Sequence, residues 1–346
     1  MTDQRLRIPD YDPTPIFDLF RGNYGTELLT AAVIEFRVFE RLASGPIPEP
    51  ELIAIIGLEN RPGIVLLTAL KAMGFLRKSE GCLELTHLAR AFLVADSPFG
   101  ITGYIGLAAQ TPGTIAMIER LKSNRPLGAD TERGAAFIFR EGIDSAMERE
   151  KDARVLTLSL AGRARNVAPF LANLIEDEPI TVVDVGGGSG IYSVALLQKN
   201  PQMRSIIWDR PEVLKVAEEL AIFHGVRHRL ELIAGDMFVD PVPRADMLLL
   251  SNILHDWDIP ACRQLLTRCA ESLPSGGRLF IHDVFLNDDL DGPLPIALYS
   301  AALFTMTEGR AYSAAEYKKW LIEAGLKPEE VRPTFVHCGL LPARKW

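Results

Sequence analysis

His255 lies in Ser251-Asn252-Ile253-Leu254-His255-Asp256-Trp257, directly after the apolar run Met247–Leu250. Histidine titrates near neutrality, so a histidine on a loop at a strand end can act as a general base. Asp283 closes the next apolar run, Arg278-Leu279-Phe280-Ile281-His282-Asp283. A carboxylate there can accept from the second ring nitrogen of His255 and orient the imidazole. Asp256, adjacent to the histidine, completes the candidate catalytic set. His282 alternates to the other side of its strand and reads as structural. His224 and His228 sit four apart, but Gly225 separates them and no third ligand is evident. They read as a helix end, and no metal site is expected.

A second constellation precedes this one. Val182-Val183-Asp184-Val185 runs into Gly186-Gly187-Gly188-Ser189-Gly190 and then into the helical pattern 191–199. Glycines in such a loop permit positive φ and let a ligand touch the backbone. A strand, glycine loop and helix form the generic nucleotide site of an open α/β sheet, although a tight turn without ligand has the same look. Asp209 follows Gly190 by nineteen residues, the spacing of a carboxylate that accepts from ribose hydroxyls. The dinucleotide pattern G-x-G-x-x-G fails in both frames, because Ile191 and Ser193 occupy its last position. A cofactor without a pyrophosphate fits better. Asp236 and Met237, in Gly235-Asp236-Met237-Phe238, offer an acceptor and a polarizable surface to a heterocycle; a helix cap beside a core methionine explains them equally well.

These residues need a scaffold. Short apolar runs at 181–185, 206–208, 230–233, 247–250 and 278–281 alternate with helical segments, which predicts a parallel sheet covered on both faces. Residues 333–344 can add strands. Upstream, residues 14–43 carry Ile16, Phe17, Leu19, Phe20, Leu28, Leu29, Val33, Phe36, Phe39 and Leu42. That arc is wider than one-sided packing needs, so it suits either an internal core helix or a helix shared with a second copy. Two short helices, near 49–52 and 61–73, then lead into 75–76 and 83–85 around a turn at Lys78-Ser79-Glu80-Gly81, a winged-helix order.

The chain has 346 residues, 48% of them hydrophobic and 24% charged, with a net charge of −8. Two domains are the natural expectation at this length. Residues 1–110 hold ten Lys and Arg against thirteen Asp and Glu, a net of −3. No basic stripe is available for a nucleic-acid backbone or an anionic membrane, so the winged-helix pattern points to protein–protein contact. Nothing at the N-terminus reads as a signal peptide, and no run reaches the roughly 18 apolar residues of a membrane span. Cys82, Cys262, Cys269 and Cys338 show no C-x-x-C pairing, as expected of reduced thiols in the cytoplasm.

The motifs DVGGGSG (184–190), Asp209-Arg210-Pro211, GDMF (235–238), ILHDW (253–257), Gly276-Gly277-Arg278-Leu279, and Gly292-Pro293 followed by Thr307-Glu308-Gly309 occur in one order. In that order and spacing the chain resembles the caffeic acid/acetylserotonin O-methyltransferase family of S-adenosylmethionine-dependent enzymes. The resemblance implies an α/β fold: a Rossmann-like class I methyltransferase domain preceded by a mostly helical winged-helix dimerisation domain. It divides the chain into residues 1–105 for homodimerisation, 106–178 as a helical connector lining the substrate pocket, and 179–346 for cofactor binding and catalysis. It implies S-adenosylmethionine as cofactor, held by Asp184, Gly186, Gly188, Asp209, Arg210, Gly235, Asp236, Met237, Phe238 and Trp257. Ser251 and Asn252 stand where relatives often carry Lys or Arg near the cofactor. The resemblance makes His255 the general base and Asp283 its holder. The acceptor is a small, aromatic or polyketide-like hydroxyl compound, lined by Met147, Ala302, Phe304 and Met306, although core packing also explains the stripe on 301–306. There is one departure. Relatives often read G-x-E-R-T where this chain has Gly309-Arg310-Ala311-Tyr312-Ser313, so Ala311 replaces a second carboxylate beside the histidine. C- or N-methylation, or non-methylating chemistry on the same fold, therefore stays open. A nicotinamide-dependent oxidoreductase and a winged-helix regulator are the more distant alternatives.

Overall fold

The computed structural model describes residues 4–125, 150–176 and 180–346. They group into two units, each discontinuous in sequence: 15–125 with 286–313, and 4–14 with 150–285 and 314–346.

In the first unit the apolar stretch 14–43 is broken rather than continuous. It forms α1 (Thr14–Arg21), α2 (Gly25–Thr30), a π-helical turn (Ala31–Glu35) and α3 (Val38–Ala43). Gly22 and Gly25 flank the first break, and Arg37 takes a left-handed φ of 50° at the last. Leu28, Val33, Phe36, Phe39 and Leu42 are buried, whereas Ile16, Leu19 and Phe20 are 71%, 81% and 78% exposed. Of the two readings of this stretch, an internal core fits 28–42, whereas α1 leaves its large apolar residues on the surface of this chain.

Next come β1 (Ile47–Pro48), α4 (Glu49–Ile55), α5 (Asn60–Ala72), β2 (Leu76–Ser79) and β3 (Cys82–Leu85). Gly74, with φ 78°, stops the chain just past α5. Glu80 and Gly81 both have positive φ, and Ser79 pairs with Cys82, so β2 and β3 form a tight hairpin. β1 adds antiparallel to β3. The helices α6 (His87–Phe92), α7 (Thr102–Ile105) and α8 (Pro112–Ser123) follow. Thr86 and Thr111 cap α6 and α8 through their side chains.

The second unit alternates as expected: α9 (Glu150–Leu174), β4 (Thr181–Val185), α10 (Ile191–Lys199), β5 (Arg204–Asp209), α11 (Pro211–Phe223), β6 (Leu230–Ala234), β7 (Met247–Ser251), α12 (Ile259–Ser272) and β8 (Arg278–Leu286). The chain then contributes α13 (Leu294–Met306) and the two-residue strand β9 (Tyr312–Ser313) to the first unit, where α13 packs on α5. It finishes in the second unit with α14 (Ala314–Glu323), β10 (Leu326–Pro328), β11 (Arg332–Pro333) and β12 (Cys338–Lys345).

The sheet order in the second unit is β6-β5-β4-β7-β8-β12-β10, with β11 also paired to β12. β4 to β8 are parallel, and β12 runs antiparallel to β8. Val182, Val183, Val185 and Leu248–Leu250 are buried, as strands covered on both faces require. Strand order reverses between β4 and β7, and in open α/β sheets the crevice at that switch point, beyond the carboxyl ends, takes the ligand. Both sequence constellations emerge there. Among the described residues no single helix is long and apolar enough to cross a membrane.

Candidate active site

The glycine loop is shaped by three left-handed residues: Gly186, Gly188 and Gly190, with φ of 62°, 58° and 71°. The first and third are also demanded by packing. A Cβ on Gly186 would lie 2.6 Å from Ile253 Cδ1, and one on Gly190 would run into Ile207. Gly188 differs, because a Cβ there would meet nothing nearer than the Gly186 carbonyl at 3.9 Å. Its open side is where a ligand can approach the backbone.

Two acids brace this loop in different ways. Asp184 is buried below it; Ser193 Oγ donates to Asp184 Oδ2 (2.8 Å) and is bonded in turn to Ser205 Oγ (2.8 Å). Burial pushes the Asp184 carboxyl up to about 7. Its placement is that of a brace beneath the glycines. Asp209, at the end of β5, accepts from the Gly188 N–H through Oδ2 (2.8 Å) and from the Arg210 N–H through Oδ1 (2.7 Å). Burial raises its pKa, and these two N–H groups oppose the rise. Each oxygen keeps a second lone pair for a hydroxyl donor. Arg210 takes part through this N–H as the residue before α11.

The next strand end carries Gly235–Phe238. Asp236 is exposed, and its Oδ1 accepts from the Phe238 N–H (2.8 Å). Asp240, which the sequence reading did not single out, accepts from the Asp236 N–H (2.8 Å). Arg268 Nε donates to the Met237 carbonyl (3.0 Å). The Phe238 and Trp257 rings meet edge to face, 4.7 Å between centroids. Phe238 and Trp257 thus bring apolar surface together beside Asp236 and Met237. Together with the open face of Gly188 and the lone pairs of Asp209, this lining suits an adenosine.

At the end of β7, Ser251 pairs in register with His282 of β8. Ser251 Oγ bonds to His282 Nδ1 (2.9 Å), and His282 Nε2 to Thr334 Oγ1 (3.1 Å). His282 is fully buried, and burial, reinforced by the nearby Arg163, pushes its pKa down to about 3. It stays neutral, in line with its reading as structural. Asn252 takes a left-handed φ of 57°. Its Nδ2 donates to Tyr192 Oη (3.2 Å) and Ser251 Oγ (3.1 Å), while its Oδ1 is buried with no hydrogen-bond partner among the described residues.

His255 occupies a 3₁₀ turn, Leu254–Asp256, whose Leu254 carbonyl accepts from Cys262 Sγ (3.1 Å). Its Nδ1 lies 2.5 Å from Asp283 Oδ1. The carboxylate is held twice more: Oδ1 accepts from the Val284 N–H (2.8 Å), and Oδ2 from Tyr317 Oη on α14 (3.2 Å). Asp256 Oδ1 is 3.6 Å from His255 Nε2. Burial disfavours the imidazolium, yet the Asp283 and Asp256 charges outweigh it, and the His255 pKa is raised. Asp256 itself is pushed up to about 6, by burial against the pull of His255. With Nδ1–H donated to Asp283, Nε2 of the neutral ring is an acceptor.

Besides Asp240, the sequence did not reveal Tyr317, Tyr192 and Thr334, and it named Ser193 only as a departure from the dinucleotide pattern. Tyr317, Tyr192 and Thr334 reach their partners through the tertiary fold and lie in no motif.

Within the first unit, Phe304 is fully buried in the core under the Arg61 guanidinium (4.6 Å), and Arg61 donates to the Phe304 and Thr307 carbonyls. Ala302 and Met306, four residues apart, share another face of α13, where Met306 is half-buried. Ala311 is buried, with its N–H donating to Ser300 Oγ (3.1 Å). Met147 lies outside the described residues. Among the described residues no group of three or more His, Cys, Asp or Glu side chains is placed to hold a metal.

Comparison with known proteins places this geometry. Residues 171–327 match the model of the O-methyltransferase domain. The chain is 35% identical over 318 residues to 3-hydroxy-5-methyl-1-naphthoate 3-O-methyltransferase of Streptomyces sahachiroi, covering 90% of this chain and 89% of that one. It is 51% identical to an O-methyltransferase family 2 protein of Planctomyces limnophilus crystallised with apigenin, covering 100% and 99% with a TM-score of 0.90. Human N-acetylserotonin methyltransferase in complex with SAM shares the fold, at a TM-score of 0.61 and 23% identity over 98% and 99% of the two chains. The chain therefore belongs to the S-adenosylmethionine-dependent O-methyltransferase family that its motifs resemble, and S-adenosylmethionine is its methyl donor.

Proposed function

We propose that this enzyme methylates a phenolic hydroxyl of a small aromatic or polyketide-like molecule, with His255 as the general base. The buried His255–Asp283 pair carries the reading. It sits two residues from Ile253, which packs on Gly186, so base and cofactor loop converge at one strand end. Relatives that act on a naphthoate and that bind apigenin support an aromatic acceptor.

S-adenosylmethionine supplies an electrophilic methyl group on a sulfonium, open to attack in line with the C–S bond. The residues proposed to hold it are Gly186 and Gly188 at its amino-acid portion and Asp209 at its ribose. Asp236, Met237, Phe238 and Trp257 take the adenine, with Asp184, Arg210 and Gly235 shaping the loops and Ser251 and Asn252 adjoining. Positioning the two reactants is the protein's larger contribution, up to about 7–11 kcal/mol for a well-oriented pair. His255 Nε2 takes the proton of the hydroxyl. A phenol near 10 and a histidine near 6.5 differ by about 3.5 units, roughly 5 kcal/mol. The Asp283 and Asp256 carboxylates narrow that gap by favouring the imidazolium that forms.

The first unit reads as a winged-helix dimerisation domain. The order α4, α5, β2, β3 supports the winged helix, and the exposed Ile16, Leu19 and Phe20 of α1 support a homodimer. Residues 1–105, 106–178 and 179–346 are proposed for dimerisation, connection and catalysis, although 4–14 and 150–176 group with the second unit and 286–313 with the first. Ala302 and Met306, with Met147, are proposed to line the acceptor pocket, and Phe304 supports that helix from the core. The four free cysteines fit a reducing cytoplasm.

The test is turnover of apigenin, hydroxynaphthoates and simple phenols, read as S-adenosylhomocysteine released. His255→Ala should lower the rate by roughly 10²–10⁴. An unchanged rate removes His255 from the base role, and no methylation of any hydroxyl in the panel removes the acceptor class.

A further inference from the structure

Asp283 fixes the His255 ring, but a ring is placed only as firmly as the backbone that carries it. That backbone is a single 3₁₀ turn, Leu254–Asp256. Two N–H groups close it: Asp256 donates to the Ile253 carbonyl and Trp257 to the Leu254 carbonyl, both at 3.2 Å. Hydrogen bonds of this i→i+3 kind have poorer geometry than those of an α-helix. One such turn is a weak platform for a base that must meet a proton at hydrogen-bond distance.

A further support comes from α12. Asp258 caps that helix, accepting from the Ala261 N–H through Oδ1 (2.9 Å), and the Cys262 N–H donates to the Asp258 carbonyl (2.9 Å). Side chains on a helix lean toward its N-terminus. The Cys262 thiol therefore reaches back over the loop that leads into α12. Its Sγ lies 3.1 Å from the Leu254 carbonyl and 3.4 Å from the Trp257 carbonyl. These two carbonyls bracket His255 and Asp256. The thiol sits between them with one hydrogen to donate.

Cys269 provides the contrast. It lies seven residues on, two turns along the same face of α12, and both cysteines are wholly buried. Burial pushes the Cys269 thiol up to about 12, and a cysteine in that setting acts as a small hydrophobe. Cys262 is buried to the same degree and in addition touches the backbone on both sides of the histidine. The Trp257 ring has its own support against Phe238, at 4.7 Å between centroids, so the nearer contact, to Leu254, is the one that bears on the base.

Resting on His255 as the base, we propose that Cys262 is a positioning residue for methyl transfer: its thiol pins the 254–257 turn and thereby sets where His255 Nε2 stands. Asp283 holds the ring from β8, and Cys262 holds the backbone from α12.

A double-mutant cycle on the single-turnover rate tests this, with the phenol of the panel above that is methylated fastest. Cys262→Ala should lower the rate about tenfold and leave the dissociation constant of S-adenosylhomocysteine within about threefold. Cys262→Ser keeps a donor on the same carbon and should restore the rate to within about threefold of the unaltered enzyme. Cys269→Ala removes a sulfur from the same buried face and should leave the rate within about twofold. In a His255→Ala background, Cys262→Ala should cost no more than about twofold further, because the thiol acts through the base. An unchanged rate in Cys262→Ala, equal losses in both backgrounds, no rescue by serine, or an equal loss in Cys269→Ala overturns the assignment. An unchanged rate in His255→Ala alone removes the base itself, and this role of Cys262 with it.

Discussion

Tyr317 and His255 grip opposite oxygens of one buried carboxylate: Tyr317 Oη donates to Asp283 Oδ2 at 3.2 Å, and His255 Nδ1 meets Asp283 Oδ1 at 2.5 Å. The acid cannot rotate without losing one of them. The imidazole is thereby fixed with Nε2 facing away from Asp283. Ala311 stands where the family resemblance would put a further carboxylate, yet His255 has two close by, because Asp256 stands 3.6 Å from Nε2.

Asp283→Asn should move the acid limb of the rate. His255 must be neutral to accept a proton, and its pKa is raised above the ordinary 6.5 by carboxylates that outweigh burial. In the unaltered enzyme kcat/KM therefore rises with pH through a value above 6.5. Without the Asp283 charge burial gains ground, so the limb shifts to lower pH. The plateau falls as well, by roughly 10²–10⁴ if orientation of the base is lost. A pH profile of kcat/KM measures both effects, and an unmoved limb means that Asp283 does not set the titration.

Tyr317→Phe isolates the second grip. It removes one hydroxyl from a buried, charged acceptor, which costs roughly 1.5–3 kcal/mol of stability. Catalysis should fall by less than in Asp283→Asn, because Asp283 keeps its charge and its bond to His255. Urea melts beside kcat separate the two: a stability loss with a near-normal pH limb is expected. A displaced limb would show that Tyr317 also tunes the base.

Asp184→Asn addresses the brace below the glycines. Its carboxyl is raised by burial to about 7, against an ordinary value near 3.8. A carboxyl with a raised folded pKa favours the folded state while protonated, and that advantage declines as pH climbs from about 4 to about 7. The amide removes this slope. Relative to the unaltered chain, the variant should therefore gain thermal stability at pH 8 and gain least near pH 4. Tm measured across that range is the check, and a constant offset would mean that the Asp184 carboxyl has the same pKa in the fold as in the unfolded chain.

Much of the site was legible because its residues sit at strand ends, where local pattern carries spatial meaning. Period-two alternation placed Asp283 and His282 on opposite sides of β8, and the parallel order brought β7 and β8 together. The structure pairs His255 with the first and Ser251 with the second. The glycine run likewise suggested positive φ in the loop, which three of its four glycines adopt. Tyr317 was illegible because α14 returns to Asp283 from 34 residues downstream with no motif of its own. The membership of 286–313 in the first unit was hidden for the same reason, since helix periodicity says which face of α13 is apolar and nothing about which core it enters. The breaks within 14–43 were hidden because apolar composition does not register a glycine-flanked break, a π-helical turn and a left-handed Arg37.

The exposed α1 face carries the last prediction. Ile16, Leu19 and Phe20 lie within two helical turns, each more than two-thirds exposed. Isolated exposed apolar residues are ordinary, but three large ones on one short helix mark an interaction surface. The occupant proposed is a second copy, since the neighbouring apolar segment 28–42 is already buried in the same unit. A large hydrophobic residue fully buried at such an interface contributes roughly 1.5–3 kcal/mol. Leu19→Glu combined with Phe20→Glu should therefore weaken self-association by several orders of magnitude while leaving the fold of each unit intact. Sedimentation velocity over a concentration series reads the outcome, with circular dichroism as the control on folding. A dimer of unchanged affinity would move the interface off α1, and a monomeric unaltered chain would remove the homodimer.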